Sequence, residues 1–251
     1  MAPDRIALVT GANQGVGKQV ASELAKAGVF VYVGSRDFAR GEAAAAEIGE
    51  GATAIQIDVT GTASIAAAAA RIESEHGRLD LLVNNAGIST APVPGRQRDE
   101  STPRSAVSTA SLDEIRAVWE VNVFGVVAVY QAMLPLLRLG HDARIVNVSS
   151  GLGSLAGNAD PAYSFRSFFG PVYPASKAAE NAMTLAMMIE LEDSDIKVNL
   201  VSPGFTSTAL NNFQGTETIE EGSREVVRVA LLGPDGPSNT FTRWEDQTIP
   251  W

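Results

Sequence analysis

The chain of 251 residues contains no cysteine and only two histidines, His76 and His141. The lack of cysteine excludes disulfides, thiolate metal ligands and a cysteine nucleophile. Two isolated histidines do not form the ligand cluster that a zinc or iron centre needs, so no metal site is expected. The chemistry must come from other side chains.

Positive charge is also scarce, because 19 Lys and Arg stand against 29 Asp and Glu and give a net charge of −10. Such a surface repels nucleic acid and anionic membranes, and neither is expected as a partner. The longest apolar stretch, 121–139, is interrupted by Asn122, Gln131, Pro135 and Arg138, which favours a buried helix over a membrane span. The apolar run at the start is too short for a signal peptide, so a cytoplasmic protein is expected.

Short apolar runs alternate with helical segments along the whole sequence. The predicted strands are 6–10, 30–33, 54–57, 79–83, 144–148 and 197–201, and the predicted helices are 18–26, 39–48, 63–75, 112–137, 172–191 and 219–231. This alternation predicts one α/β domain over 1–251, a doubly wound parallel (Rossmann) sheet of about seven strands with helices on both faces. Its ligand should lie beyond the carboxyl ends of the strands.

A glycine-rich turn follows the first predicted strand directly and leads into a helix. Glycine lets the backbone approach a ligand closely, and the start of a helix presents free N–H groups to an anion. The spacing G-x-x-x-G-x-G differs from the common dinucleotide fingerprint, yet the strand–turn–helix context favours pyrophosphate binding. The residues expected to cradle the pyrophosphate are Gly11, Asn13, Gln14, Gly15, Val16 and Gly17.

Tyr173 and Lys177 are spaced so that a helix places both on one face. An ammonium group beside a phenol favours the phenolate and lowers a pKa that starts near ~10. A tyrosine tuned in this way can exchange a proton with a substrate. The pattern is common by chance, so its weight depends on the glycine turn upstream.

The glycine turn, the Asn84-Asn85-Ala86-Gly87 segment and the Tyr173/Lys177 pair, in this order, resemble the short-chain dehydrogenase/reductase family. The resemblance implies an NAD(P)-dependent oxidoreductase. In the family the tyrosine exchanges a proton with the carbonyl oxygen and the serine hydrogen-bonds that oxygen. The lysine lowers the tyrosine pKa and holds the nicotinamide ribose, and the asparagine anchors a water relay. The catalytic tetrad implied for this chain is Asn122, Ser150, Tyr173 and Lys177.

Two positions of the tetrad have competitors. Ser149 neighbours Ser150, and Tyr163 lies closer than Tyr173 to the usual spacing from the serine. Tyr163 is not followed by a lysine, which favours Tyr173 and implies an insertion at about 154–170. That insertion and the C-terminal sequence resemble the carbonyl-reductase-like branch, whose members are often monomers, so a monomer is expected. The aromatic residues of the insertion either wall an apolar substrate pocket or only cover the neighbouring helix.

The resemblance also bears on the cofactor. Arg36 resembles the residue that carbonyl reductases place against the 2′-phosphate, with Ser35 and Arg40 as helpers, and it favours NADP(H). Asp37 would oppose a phosphate unless it begins the next helix, so NAD(H) stays open. Further cofactor contacts implied by the family are Asp58, Val59, Asn85, Ala86, Gly87, Tyr173, Lys177, Pro203, Gly204 and either Thr206 or Thr208.

The leading hypothesis is NADPH-dependent reduction of a ketone or aldehyde to an alcohol. An NAD-dependent alcohol dehydrogenase working in oxidation is the alternative enzyme, and a non-catalytic NAD(P)-sensing regulator is a third reading. The retained tetrad argues against the regulator. The substrate should depend on the loops 88–111, 154–170 and 205–216, whose shapes the sequence does not predict.

Overall fold

The computed structural model describes residues 4–92 and 106–251, which form one α/β layer structure around a single sheet. The sheet has the spatial order β3-β2-β1-β4-β5-β6-β7-β8. Its strands are β1 (Ile6–Val9), β2 (Phe30–Ser35), β3 (Ala52–Gln56), β4 (Leu81–Asn84), β5 (Arg144–Val148), β6 (Lys197–Val201), β7 (Thr240–Arg243) and β8 (Gln247–Thr248). Every neighbouring pair is parallel except β7 with β8, which is antiparallel.

Helices cover both faces of the sheet. They are α1 (Gly15–Lys26), α2 (Phe38–Ile48), α3 (Thr62–His76), α4 (Leu112–Trp119), α5 (Gly125–Leu137), α6 (Leu155–Ala159), α7 (Tyr173–Glu190) and α8 (Ile219–Ala230). One apolar cluster joins α1, α2 and α8 to the sheet, and a second joins α3, α5 and α7 to the opposite face. Burial on both sides explains why β1, β2 and β4 are nearly continuous apolar runs without alternation.

Helix α8 packs along α1. Their buried contact residues belong to one cluster and include Val20, Ala21, Leu24, Val226, Val229 and Ala230. Behind α8, the buried Arg144 donates hydrogen bonds to the carbonyls of Pro237 (2.9 Å) and Gly233 (3.3 Å). Burial lowers the pKa of Arg144 to about 10. Arg144 therefore fastens the segment after α8 to the centre of the sheet.

The predicted Rossmann architecture is confirmed, with one strand more than expected. The tail at 240–248 contains few apolar residues and was not predicted as strand, yet it forms β7 and β8. The helix predicted at 112–137 is interrupted by a π-helical turn, Glu120–Phe124, between α4 and α5. The short helix α6 and the 3-10 turns Gly151–Gly153 and Arg166–Phe168 were also not predicted. Predicted strands 144–148 and 197–201 coincide with β5 and β6.

The segment Leu112–Leu137 is long and apolar enough to cross a membrane by length and composition, and half of its most apolar window is buried within the protein. Its α5 part packs against α3 and lies in the core cluster. A core helix of a globular protein passes the same test. Of the loop predicted at 88–111, residues 93–105 lie outside the described residues.

Candidate active site

The sheet order reverses between β1 and β4, and the residues after these two strands form one wall of the site. Gly11 and Gly15 have positive φ values of 62° and 57°, which favour glycine. A Cβ on Gly11 would lie 2.9 Å from the Cα of Ala86, so the two turns are in close contact. The predicted turn residues Gly11 to Gly17 thus lie where an open α/β sheet binds its ligand.

Helix α1 begins without a side-chain cap. Its N-cap residue Gln14 makes no capping hydrogen bond, and its first turn contains no acidic residue. The first N–H groups of a helix have no partner within the helix, and with the helix dipole they favour an anion. The uncapped start of α1 therefore fits a phosphate group.

Asn85 joins the turn after β4 to the glycine turn. Its Nδ2 donates to the carbonyls of Thr10 (2.9 Å) and Gly11 (3.1 Å). The Thr10 hydroxyl in turn accepts from the N–H groups of Asn85 (3.0 Å) and Ala86 (3.1 Å). The side chain of Asn85 is thus committed to holding the cradle in shape. Gly87 lies beside the predicted tetrad, because an added Cβ there would be 3.6 Å from Lys177 Nζ.

At the end of β2, Asp37 caps α2 and accepts from the N–H of Arg40 at 3.2 Å. This is the role that reconciles Asp37 with a phosphate nearby. The Arg40 side chain donates to Gln14 in the glycine turn, whereas the Ser35 hydroxyl donates to the Asp37 carbonyl at 2.7 Å. Arg36 is exposed. Of the two expected helpers, Arg40 reaches the glycine turn and Ser35 does not.

After β3, Asp58 and Val59 take different positions. The Asp58 carboxylate accepts from the N–H (3.0 Å) and hydroxyl (2.8 Å) of Thr60, an ordinary turn arrangement. Val59 packs against Gly125, the first residue of α5, where an added Cβ would lie 2.9 Å from Val59 Cγ2. Both lie at the carboxyl edge of the sheet, beside the glycine turn.

The two candidate serines at the end of β5 make different contacts. Ser149 is buried and donates to Asn181 of α7. Ser150 caps the turn at 151–153 and hydrogen-bonds with the Tyr173 side chain. The competitor Tyr163 is directed instead to the Gly151 carbonyl, at 3.4 Å. The geometry therefore brings Ser150, Tyr173 and Lys177 together, with the lysine nitrogen 5.9 Å from the tyrosine ring centre.

Lys177 has a partner that the sequence reading missed. Its Nζ donates to the Val148 carbonyl (2.9 Å) and to Glu180 Oε2 (2.6 Å). The side chains of Lys177 and Glu180 are only 5% and 1% exposed. A signal was present, because 173, 177 and 180 follow the i, i+4, i+7 spacing of one helix face. An acidic residue three positions after a lysine, however, usually belongs to a solvated surface pair.

The pKa of Tyr173 is raised, not lowered as expected. Burial is the largest cause, and Glu180 also raises the pKa, whereas Lys177 and the hydrogen bond with Ser150 lower it. Burial on its own lowers the pKa of Lys177, but Glu180 and Tyr173 outweigh it and raise that pKa. The pKa of Glu180 is raised by burial against the opposing effect of Lys177. The described state thus favours a protonated tyrosine beside a charged lysine.

Asn122 lies in the π-helical turn and is fully buried. Its Oδ1 accepts from the N–H of Ile88 (2.9 Å), and its Nδ2 donates to the Ile88 carbonyl (2.8 Å) and to Ser176 of α7 (2.9 Å). The side chain ties the segment after β4 to the tyrosine helix. Single-turn π-helical insertions of this kind are frequent at functional sites.

The loop after β6 covers the site from the other side. Gly204 has a φ of 76° and lies against Glu217, whose Oε2 would be 2.0 Å from an added Cβ. Thr206 is buried and donates to the Pro203 carbonyl at 2.8 Å, so its hydroxyl is not directed at the site. Thr208 lies over the glycine turn, with its Cγ2 3.7 Å from a Cβ placed on Gly15. Of the two predicted alternatives, the geometry favours Thr208.

Residues 154–170 lie against the C-terminal segment. Ser154 donates to the Pro250 carbonyl, and the Ala156 N–H donates to the carbonyl of Trp251 at 2.7 Å. Beside them is a cavity of about 540 Å³, a size usual for small-molecule pockets. Ser150 opens onto it, and its aromatic walls are Tyr163, Phe165, Phe168, Phe205 and Trp244.

A family model described as short chain dehydrogenase matches residues 5–218, and the chain belongs to this family. The predicted resemblance is thereby confirmed. The short-chain dehydrogenase anuI of Penicillium roqueforti is 38% identical over 250 residues, covering 96% of this chain and 93% of the relative.

Two solved structures are similar over nearly their whole length. Salutaridine reductase from Papaver somniferum matches with a TM-score of 0.79 and 30% identity, covering 94% of this chain and 99% of that one. NADPH-bound carbonyl reductase from chicken fatty liver matches with a TM-score of 0.79 and 26% identity, covering 98% and 99%.

Proposed function

We propose that this protein reduces the carbonyl group of a small ketone or aldehyde to an alcohol, with NADPH as hydride donor. The observation that supports this most directly is the Tyr173 side chain, hydrogen-bonded with Ser150 and one helical turn from Lys177. Ser150 shares a hydrogen bond with the Tyr173 side chain, and Lys177 supplies the positive charge that stabilises its phenolate. Both interactions therefore act on the proton that Tyr173 exchanges.

The residues around the glycine turn fit a dinucleotide. An uncapped helix start suits a diphosphate, and the close contact of Gly11 with Ala86 leaves a cradle of bare backbone. We assign the pyrophosphate to Gly11, Asn13, Gln14, Gly15, Val16 and Gly17. Asp58 and Val59 are assigned to the adenine, Asn85, Ala86 and Gly87 to the ribose region, and Pro203, Gly204 and Thr208 to the nicotinamide end.

When bound, the cofactor supplies a hydride to the carbonyl carbon. Tyr173 then donates its proton to the carbonyl oxygen, where negative charge develops. Ser150 donates a hydrogen bond to the same oxygen. Lys177 stabilises the phenolate left behind and offers its remaining N–H to a ribose hydroxyl. Asn122 holds the segment after β4 and the start of α7 together, so that these groups keep their spacing.

NADP(H) is proposed over NAD(H) because the exposed Arg36 directly follows β2 and Arg40, in the first turn of α2, donates to Gln14 of the glycine turn. Asp37 faces its own helix, which removes the main objection to a phosphate at this position. The similar chicken carbonyl reductase has NADPH bound. Arg36→Ala should lower kcat/KM for NADPH by about tenfold, the value of one charge-assisted contact, and leave that for NADH within about threefold.

The cavity beside Ser150 is proposed as the substrate site. Its aromatic walls suit the apolar part of a carbonyl compound, and its charged lining, which includes Glu217, Glu221 and Arg243, suits polar groups on the same compound. A monomeric, cytoplasmic protein stays a prediction. Size-exclusion chromatography with light scattering checks the monomer, and a dimer or tetramer would contradict the expectation drawn from the resemblance to the carbonyl-reductase-like branch.

The activity is tested by following NADPH absorbance with a panel of aromatic and alicyclic ketones and aldehydes. Tyr173→Phe removes the proton donor and should lower kcat by about 10²- to 10⁴-fold. The matched variant Tyr163→Phe removes only a hydroxyl with a long hydrogen bond and should keep most of kcat. If Tyr163→Phe abolishes turnover and Tyr173→Phe does not, the assignment is wrong. Tight NADPH binding without any turnover would favour the regulator.

A further inference from the structure

The feature that the proposed mechanism does not use is the carboxylate of Glu180. It lies one turn beyond Lys177 on the face that also holds Tyr173, and its side chain is 1% exposed. Its Oε2 accepts from Lys177 Nζ at 2.6 Å, and its Oε1 is buried with no hydrogen-bond partner among the described residues. A charge buried with an unsatisfied oxygen costs stability, and a buried ion pair often contributes less than an apolar pair of similar volume. Compared with an apolar pair of similar volume, this ion pair therefore adds little stability, although Lys177 without Glu180 would be a buried, unpaired charge.

Glu180 changes what Lys177 can do. The lysine ammonium has three N–H donors, and two of them are taken by Val148 and Glu180. The head group is thereby fixed against the end of β5 instead of rotating freely, with one donor left for a ligand. The same carboxylate also places a negative charge near the ammonium, which reduces the positive field that acts on the Tyr173 hydroxyl.

We propose that Glu180 is a positioning residue that anchors Lys177 and weakens its electrostatic effect on Tyr173, so that the tyrosine keeps its proton and the enzyme favours carbonyl reduction over alcohol oxidation up to a more alkaline pH. The proposal rests on the proposed function for its catalytic consequence. The electrostatic part stands on the contacts alone.

The charged surroundings of Tyr173 are simple. Within the described part of the chain, Lys177 and Glu180, both on α7, are the charged groups that shift its pKa. The groups that face the pair from neighbouring elements are neutral: Ser150 and the Val148 carbonyl at the end of β5, and Asn122 through Ser176. The effect of one substitution at 180 can therefore be assigned to the loss of its charge.

Glu180→Gln keeps the size of the side chain and removes the charge. Without the nearby carboxylate, the phenolate of Tyr173 is less repelled, and its pKa should fall. Reduction needs the protonated tyrosine, so the alkaline decline of kcat/KM for reduction should move down by about one pH unit. Oxidation needs the phenolate, so its rise with pH should move down by the same amount. At pH values below both pKa values, oxidation should be faster than in the parent protein by about tenfold.

Two further variants make the test specific. Glu180→Asp retains the charge and should keep the pH profile near that of the parent. Glu192→Gln removes the same charge from an exposed position just beyond α7 and should leave the profile unchanged. Thermal unfolding of each variant shows that it is folded. Unchanged profiles in Glu180→Gln would overturn the proposal. A shift to higher pH would overturn it too, because it would mean that Glu180 acts mainly by keeping Lys177 charged.

A titration without substrate separates this proposal from the proposed function. The protein has four tyrosines, and subtracting the phenolate absorbance of Tyr173→Phe from that of the parent isolates Tyr173. The same difference, taken in the Glu180→Gln background, should titrate at lower pH. If no carbonyl compound is reduced but this shift is seen, the proposed function fails and the electrostatic role of Glu180 stands. If turnover is found and the shift is absent, the proposed function stands and the electrostatic role of Glu180 fails.

Discussion

Replacing Gly17 by alanine gives the most demanding test of the glycine cradle. The residue lies within α1, where an alanine normally stabilises a helix by about 1 kcal/mol relative to glycine. The structure argues for the opposite sign here. A Cβ on Gly17 would lie 2.2 Å from Asn85 Nδ2 and 2.6 Å from the Gly11 carbonyl oxygen. The first atom belongs to a side chain held by two hydrogen bonds, and the second belongs to the backbone.

The magnitude follows from what must move. Forcing a methyl group into a packed site costs about 1–3 kcal/mol. Displacing Asn85 also breaks its bonds to Thr10 and Gly11, each contributing about 1 kcal/mol. Against the gain in helix propensity, the net loss of stability should be about 2–4 kcal/mol, which corresponds to a fall in Tm of about 4–16 °C for a chain of this size. The same displacement opens the cradle, so NADPH should bind at least tenfold more weakly, by about 1.4 kcal/mol.

The measurements are urea unfolding and calorimetric titration with NADPH. Gly233→Ala is the matched control, because no atom lies within 4 Å of its added Cβ and its φ is outside the left-handed region. It should change the free energy of unfolding by no more than about 0.5 kcal/mol and leave binding unaltered. If Gly17→Ala is as stable as the parent and binds NADPH equally well, the close contact between the two turns does not exist in solution.

Two further outcomes are expected. Thr208→Val should raise KM for NADPH by about three- to tenfold, the value of one hydrogen bond. Thr206→Val should change this KM by less than twofold, because the Thr206 hydroxyl is turned inward. The reverse order in steady-state kinetics would show that the loop packs differently. Trp251→Ala removes a ring whose centre lies 5.8 Å from that of Phe241, so the free energy of unfolding should fall by about 1 kcal/mol. Amide exchange in 154–160 should become faster, because this segment is hydrogen-bonded to the C-terminal residues. Unchanged exchange would contradict the anchoring of the insertion by the tail.

Much of the fold could be predicted because its central strands are buried on both faces. The runs at 144–148 and 197–201 are short and rich in valine, which favours buried strands over helices. The edge strands β7 and β8 have no such run, and Phe241 is the one large apolar residue that either contributes to the buried core of the described part. The break in the helix at 120–124 is also invisible in the sequence, because it accompanies the contact of Asn122 with a distant segment at residue 88.

The candidate site was predictable to the extent that motifs fix it. Ser150, Tyr173 and Lys177 lie close together, and the catalytic roles that the resemblance implies for them stay a prediction. The expected fall in the Tyr173 pKa was wrong because that expectation considered Lys177 and left out burial and Glu180. Burial is a property of the packed protein, and the pattern of a helix face cannot reveal whether a glutamate on it meets water or a lysine.

The packing of α8 along α1 has a consequence for any shortened form of this protein. Every residue assigned to the chemistry lies before position 218, so a fragment ending there would hold the complete set of motifs. It would nevertheless lose the partner that covers Val20, Ala21 and Leu24, and those side chains would face water on the helix to whose start we assign the diphosphate. A fragment with every reactive group intact would therefore be a poor nucleotide binder, because α1 would lack the helix that packs against it.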